Sequence, residues 1–199
     1  RDECIEEGRA ITVTIASRHV PGSPNYRLLL NNSKVRAALG RFRPDLIECQ
    51  DAYNLPWAAI AHRKDYPETA LVASYCTDFP TVYVERPFSK VIGRTLAGAI
   101  SRLGYRYCGD LYRRFDAIWS LSENGGAAKL RALGIPDVAV VPLGVELGEF
   151  GPERRDPRLR RSIGVAEHEP LLVYAGRMDL EKKPHIVVEA FQKLPDDLN

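Results

Sequence analysis

A doubly wound α/β fold with a mostly parallel sheet is what this sequence predicts, and three observations predict it. Short runs rich in β-branched and apolar residues alternate with amphipathic stretches of helical length. Most of these runs are separated by Pro, Gly, Asn or Ser, which punctuate strands and helices. Strand-then-helix repetition of this kind buries a parallel sheet between helical layers.

The elements follow in order. Ile11 to Ile15 reads as a strand. Residues 17–32 carry Pro21, Gly22, Pro24 and Asn31-Asn32 and read as a loop, with an extended stretch at Tyr26 to Leu30. Ser33 caps a helix through Leu39, with Val35, Leu39 and Phe42 on one side, and Pro44 ends it. Asp45 to Cys49 is the next strand. Leu55 to Arg63 is a helix burying Trp57, Ile60 and Ala61. Thr69 to Ser74 is a third strand. Between residues 87 and 115, Ile92, Leu96, Ile100, Leu103, Tyr107, Leu111 and Phe115 recur at helical steps, with arginines on other faces. Four glycines in that stretch predict a break or close packing. Its basic amphipathic pattern suits a core helix with a solvated face, or one lying on an anionic membrane. Asp116 to Ser122 is a strand, Ser122 starts a helix through Leu133, and Gly134 closes it. Val138 to Val141 is a further strand ended by Pro142.

A Pro/Gly-rich, charged linker occupies 147–158, separating a first domain (1–146) from the start of a second (159–199). In the second, a helix at Leu159 to Ile163 precedes a buried strand, Leu171 to Ala175, that stops at Gly176. An amphipathic run, His185 to Phe191, follows. Arg177 therefore stands at a strand's carboxyl end, with Lys182 and Lys183 just before a helix. Ligands of open α/β sheets sit there, and an Arg and a Lys so placed would face an anion such as a diphosphate from two sides. The alternative is a basic loop of solvated charges. Asp51 occupies the corresponding position after its strand, either as a partner for an acceptor hydroxyl or as a helix cap. Asp78 carries the same two readings.

Composition narrows the function classes. The chain has 199 residues, 45% hydrophobic and 27% charged, with net charge +2. That supports a globular core and no strong polyanion-binding field, so nucleic acid is not an expected partner. Cys4, Cys49, Cys76 and Cys108 are too dispersed for a zinc cluster or a disulfide framework. No metal site is expected. No run of 18 apolar residues occurs.

Three ordered motifs carry a resemblance. Gly176-Arg177 with Glu181-Lys182 resembles the "GR…EK" signature of family-four retaining glycosyltransferases. Val141-Pro142-Leu143-Gly144-Val145-Glu146, then Phe150 and Pro152, resembles that family's interdomain segment. Ser74-Tyr75-Cys76-Thr77-Asp78-Phe79-Pro80 resembles its "S-Y-H-T-D-F-P" loop. The resemblance implies a Rossmann-like half of a two-domain GT-B fold, with the start of the first domain and most of the second missing. It implies a nucleoside diphosphate sugar as co-substrate, with no further cofactor and no metal, and transfer of a mannose- or glucose-type sugar to a hydroxyl of a lipid or glycan. Arg177 and Lys182 would bind the donor diphosphate. Gly144 would let the backbone approach the donor. Asp51, Thr77 and Asp78 would face the acceptor. Cys76 stands where the family pattern has a catalytic-cleft His. A thiol lacks the imidazole's donor and acceptor pair, so the departure points to an altered acceptor, a weakened enzyme, or a small buried thiol. A cytoplasmic enzyme with peripheral membrane contact is the expectation. The rival reading is a noncatalytic doubly wound module that binds a ligand or partner.

Overall fold

The computed structural model describes residues 2–20, 23–85, 89, 93–178 and 182–195. Contacts divide the chain into two compact units, Arg1–Leu143 and Gly144–Asn199.

The first unit is built on a four-stranded sheet: β5 (Leu46–Cys49), β6 (Ala70–Tyr75), β7 (Ala117–Ser120) and β8 (Val138–Val140). All three pairings are parallel and the strands lie in sequence order. Parallel neighbours require crossovers. These run through α2 (Leu55–Asp65), then α3 (Arg94–Tyr112), then α4 (Ala128–Ala132). Register sets which side chains share a face. Cys49, Leu71, Ala73, Tyr75, Ile118 and Val138 fall on one side and are buried against Ala59, Cys108, Leu111, Tyr112, Ala127 and Leu130. This is the α/β, Rossmann-like arrangement that strand–helix alternation predicts.

Ahead of the sheet the chain departs from the expected pattern. The strand at Ile11 to Ile15 forms as β2 (Ala10–Thr14), but it pairs antiparallel with β1 (Glu3–Glu7) in a separate hairpin. The stretch read as a loop holds a second antiparallel pair, β3 (Arg18–Val20) and β4 (Ser23–Leu28). Neither pairing was legible, because β1 is acidic and β4 begins with Ser-Pro-Asn. The helix α1 (Ser33–Phe42) starts one residue earlier than a Ser33 cap implies. Asn32 holds the cap position, and its side-chain amide instead donates to Asn54 O and Oδ1, 2.9 Å each. Arg43 closes α1 in a left-handed conformation ahead of Pro44.

In α2 the most buried residues are Pro56, Ala58, Ala59 and His62, not the expected Trp57, Ile60 and Ala61, which are half-buried. Ala59, small and in the core cluster, lets the helix approach the sheet, which leaves the indole at the margin. Its Nε1 donates to Tyr107 Oη at 2.9 Å. The long periodic stretch is an unbroken α3 from Arg94; Ile92 lies outside the described residues. Gly104 serves packing, Gly98 faces open space, and Gly93, at φ 82°, stands just before the helix begins. A Cβ at Gly104 would come 3.1 Å from Pro80 Cβ, at the start of a π-helical turn, Pro80–Glu85. After β7 the chain makes another π-helical turn, Glu123–Ala127, before α4. Ser122 precedes it without a side-chain cap bond.

The second unit contains a 3₁₀ turn at Pro152–Arg154, α5 (Pro157–Ser162), capped by Asp156 through Arg158 N at 2.8 Å, and α6 (Pro184–Phe191). The buried strand expected at Leu171 to Ala175 does not form, and Val173 is 76% exposed. A strand is stabilised by its neighbours, and among the described residues no strand pairs with it. The apolar side chains Ile186, Val187, Val188 and Phe191 of α6 are exposed too.

Candidate functional site

Parallel order places the carboxyl ends of β5, β6 and β7 at one edge of the sheet, and the residues singled out from sequence in this unit follow those ends. Asp51 comes two residues after β5. Its Oδ1 accepts from Tyr53 N at 2.9 Å and its Oδ2 from Leu55 N at 3.3 Å. Both bonds tie the carboxylate to the backbone just before and at the start of α2, whose cap position is held by Asn54. Cys76 and Thr77 follow β6 and both are exposed. The buried-thiol reading of Cys76 is therefore wrong. The thiols that behave that way are Cys49 and Cys108, which burial pushes up to about 11 and about 12.

Asp78 is the best-anchored group at this edge. Tyr75 Oη donates to its Oδ1 at 2.9 Å. Tyr105 Oη, from α3, lies 2.9 Å from Oδ1 and 3.1 Å from Oδ2. Lys129, from α4, pairs with Oδ2. Thr81 Oγ1 lies 2.8 Å from the Tyr105 hydroxyl. One carboxylate so ties together β6, the π-helical turn after it, α3 and α4. Burial pushes its pKa up, but the hydrogen bonds from Lys129, Thr81, Tyr105 and Tyr75 outweigh that and hold it below the usual carboxylate value. The same bond raises Lys129, against burial. Burial, with the neighbouring charge of Asp78, raises Tyr75 far above an ordinary phenol. With its oxygens so engaged, Asp78 braces the Cys76-Thr77 loop.

The glycine pair after β7 completes the edge. Ser120 Oγ donates to Tyr75 O at 3.0 Å. A Cβ at Gly126 would fall on Ser120 Oγ and 3.0 Å from Tyr75 Cδ1. Only a residue without a side chain lets the wide turn lie directly over the two strand ends. Tyr75, Tyr105, Ser120, Gly126 and Lys129 escaped the sequence reading. Tyr105 lay off the apolar stripe of α3, and Lys129 belonged to no motif.

In the second unit, Arg177 and Lys182 are both exposed, Tyr174 Oη donates to Arg177 O at 2.9 Å, and Lys183 takes a left-handed backbone at the start of α6. Glu181 lies outside the described residues. Gly144 is exposed, and a Cβ there would meet nothing within 4 Å. Among the described residues no group of three or more His, Cys, Asp or Glu is arranged to hold a metal, and no helix is long and apolar enough to cross a membrane.

The profile of Glycosyltransferase Family 4 matches residues 1–149. The chain belongs to glycosyltransferase family 4. This family-four chain is similar to the D-inositol 3-phosphate glycosyltransferase of Xylanimonas cellulosilytica, with 24% identity over 192 residues, 90% of this chain and 46% of that protein. It is also similar to the GDP-mannose-dependent alpha-(1-6)-phosphatidylinositol dimannoside mannosyltransferase of Mycobacterium tuberculosis, with 24% identity over 186 residues, 94% of this chain and 45% of that protein. The chain thus spans just under half the length of these curated relatives.

Proposed function

We propose that this family-four chain is part of a retaining glycosyltransferase of the GT-B type, which moves a mannose- or glucose-type sugar from a nucleoside diphosphate sugar to an acceptor hydroxyl on a lipid or glycan. The observation that carries the reading is the carboxyl edge of the parallel sheet. There an exposed Cys76-Thr77 loop is held by the Asp78 brace, in a chain whose first 149 residues match the family. Open α/β sheets bind ligands at that edge. In this reading Thr77 and Asp51 border the acceptor, and Arg177 and Lys182 take the donor diphosphate. Growing negative charge on a departing diphosphate is what fixed cations stabilise, so no metal is required for that role. Gly144 gives the donor close access to backbone. Leaving-group phosphate oxygen then accepts the acceptor proton on the same face, which preserves anomeric configuration. The exposed apolar side chains Leu172, Val173, Ile186, Val188 and Phe191 would be covered by the remainder of a donor-binding sheet. The enzyme works in the cytoplasm at a membrane surface.

Residues 1–199 alone are expected to show no sugar transfer. The decisive test is calorimetric titration of the whole protein with UDP and GDP. Saturable binding of one nucleotide, weakened tenfold or more by Arg177→Ala or Lys182→Ala, supports the reading; no binding of either nucleotide refutes it. One observation favours a second reading. The exposed residue at the family's His position is Cys76, which cannot supply an imidazole's paired donor and acceptor. A noncatalytic binding module would keep the acceptor edge and show no turnover even in the whole protein. Cys76→His would restore turnover to a weakened enzyme and leave such a module silent.

A further inference from the structure

Helices α1 and α2 pack side by side in the first unit and leave a cavity of about 430 Å³ between them. Ser33, Arg36, Ala37 and Gly40 of α1, at steps of three or four, face His62 and Asp65 of α2 across it. Tyr66, just beyond α2, closes one wall. That volume falls within the roughly 300–1,000 Å³ of small-molecule sites. None of these residues belongs to the candidate glycosyltransfer site, so the inference stands apart from that reading. Three features give the cavity its chemistry. His62 is 3% exposed, its ring stacks on Tyr66 at 4.5 Å and 23°, and its Nε2 is buried with no hydrogen-bond partner. An orphaned ring nitrogen costs free energy until something meets it. Arg36 and Asp65 stand 3.8 Å apart, beyond hydrogen-bond reach, with side chains 54% and 65% exposed. So loose a pair holds little energy of its own and leaves both charges open to other partners. Ser33 opens α1, whose first turn carries no acidic residue and whose N-cap side chain makes no cap bond. The positive end of that helix dipole favours an anionic group beside Ser33 and Arg36. A lone anion would also meet Asp65, and a lone cation would also meet Arg36; a ligand carrying both charges complements both. Gly40 keeps the cavity open, since a Cβ there would meet nothing within 4 Å.

We propose that this cavity binds a small zwitterionic amino acid, with its carboxylate on Arg36 and Ser33, its ammonium on Asp65 and a carboxamide side chain on His62 Nε2. Whichever ring nitrogen carries the proton, a carboxamide can meet Nε2, because its NH₂ donates and its carbonyl accepts.

The test is calorimetric titration of the 199-residue chain with L-glutamine and with two analogues that each lack one of its charges. Glutaramate lacks the ammonium, and 4-aminobutanamide lacks the carboxylate. Each deletion removes a charge-assisted contact, so glutamine should bind at least about tenfold more tightly than either analogue. Asp65→Asn should erase the preference for glutamine over glutaramate, and Arg36→Gln the preference over 4-aminobutanamide; both substitutions fall at exposed positions. Gly40→Leu fills the cavity from a helix interior in which Leu is the better helix former. It should abolish binding with the fold intact by circular dichroism. The ¹⁵N resonance of His62 Nε2 should move when glutamine is added to wild type and stay in place in Gly40→Leu. Glutaramate binding as tightly as glutamine identifies a plain anion site and overturns the proposal. No saturable binding of glutamine, or undiminished binding by Gly40→Leu, overturns it as well. The wild-type comparison of the three probes stands without any variant.

Discussion

Lys129→Met tests the brace most directly. It keeps the length of the side chain and removes the charge that pairs with Asp78. The side chain of Lys129 is 43% exposed and that of Asp78 19%. A fully solvated ion pair contributes about 0–1 kcal/mol, and a hydrogen bond to a charged group about 1.5–3 kcal/mol. With one partner wet, Lys129→Met should cost about 1 kcal/mol. Asp78→Ala should cost more, about 2–4 kcal/mol, because it also strands the hydroxyls of Tyr75 and Tyr105, and Tyr75 is buried. Urea denaturation followed by circular dichroism measures both. The signs of the pH dependence are set by the two shifted groups. The Asp78 carboxyl is lowered in the fold, so its stabilisation is complete above the ordinary value of about 3.9 and drains away as pH falls through the folded value. The Lys129 ammonium is raised, so its share is complete below its ordinary value of about 10.4 and is lost as pH rises through the folded one. Wild type should therefore lose its margin over Lys129→Met at both extremes. A Lys129→Met protein within about 0.3 kcal/mol of wild type at neutral pH, with Asp78→Ala no worse, would falsify the brace.

Three further outcomes follow from the same geometry. Gly126→Ala should cost about 1–3 kcal/mol by overpacking against Ser120 and Tyr75, and less in a Ser120→Ala background, as a double-mutant cycle would register. Maleimide at neutral pH should label Cys4 and Cys76 in the native chain and reach Cys49 and Cys108 only after denaturation; mass spectrometry counting four labels on native protein would contradict the burial. Tyr105→Phe should loosen the Cys76-Thr77 loop without unfolding the sheet. The expected readout is faster amide exchange at residues 76–79 at unchanged global stability to within about 1 kcal/mol.

Local chemistry made most of the parallel sheet readable in the sequence. The strands at 46–49, 70–75, 117–120 and 138–140 are runs of apolar and β-branched residues with a turn or helix signal on either side. The helices of the first unit followed from their spacing, and the family followed from three motifs whose order the chain preserves. Two kinds of information lay outside that reach. One is pairing. Whether Ile11 to Thr14 joins a parallel sheet or folds back on Glu3–Glu7, and whether Leu171 to Ala175 is a strand at all, depends on which neighbours supply backbone hydrogen bonds, and no local pattern encodes the neighbour. The other is convergence. Asp78 could be named from its motif, but Tyr75, Tyr105 and Lys129 come from three elements spread over 55 residues of sequence, and only the crossovers that carry α3 and α4 back to the sheet bring their polar atoms onto one carboxylate. Sequence determined which residues stand at strand ends; the tertiary packing decided which of them are already engaged and which still face solvent, because a carboxylate's role is set by the donors that reach it.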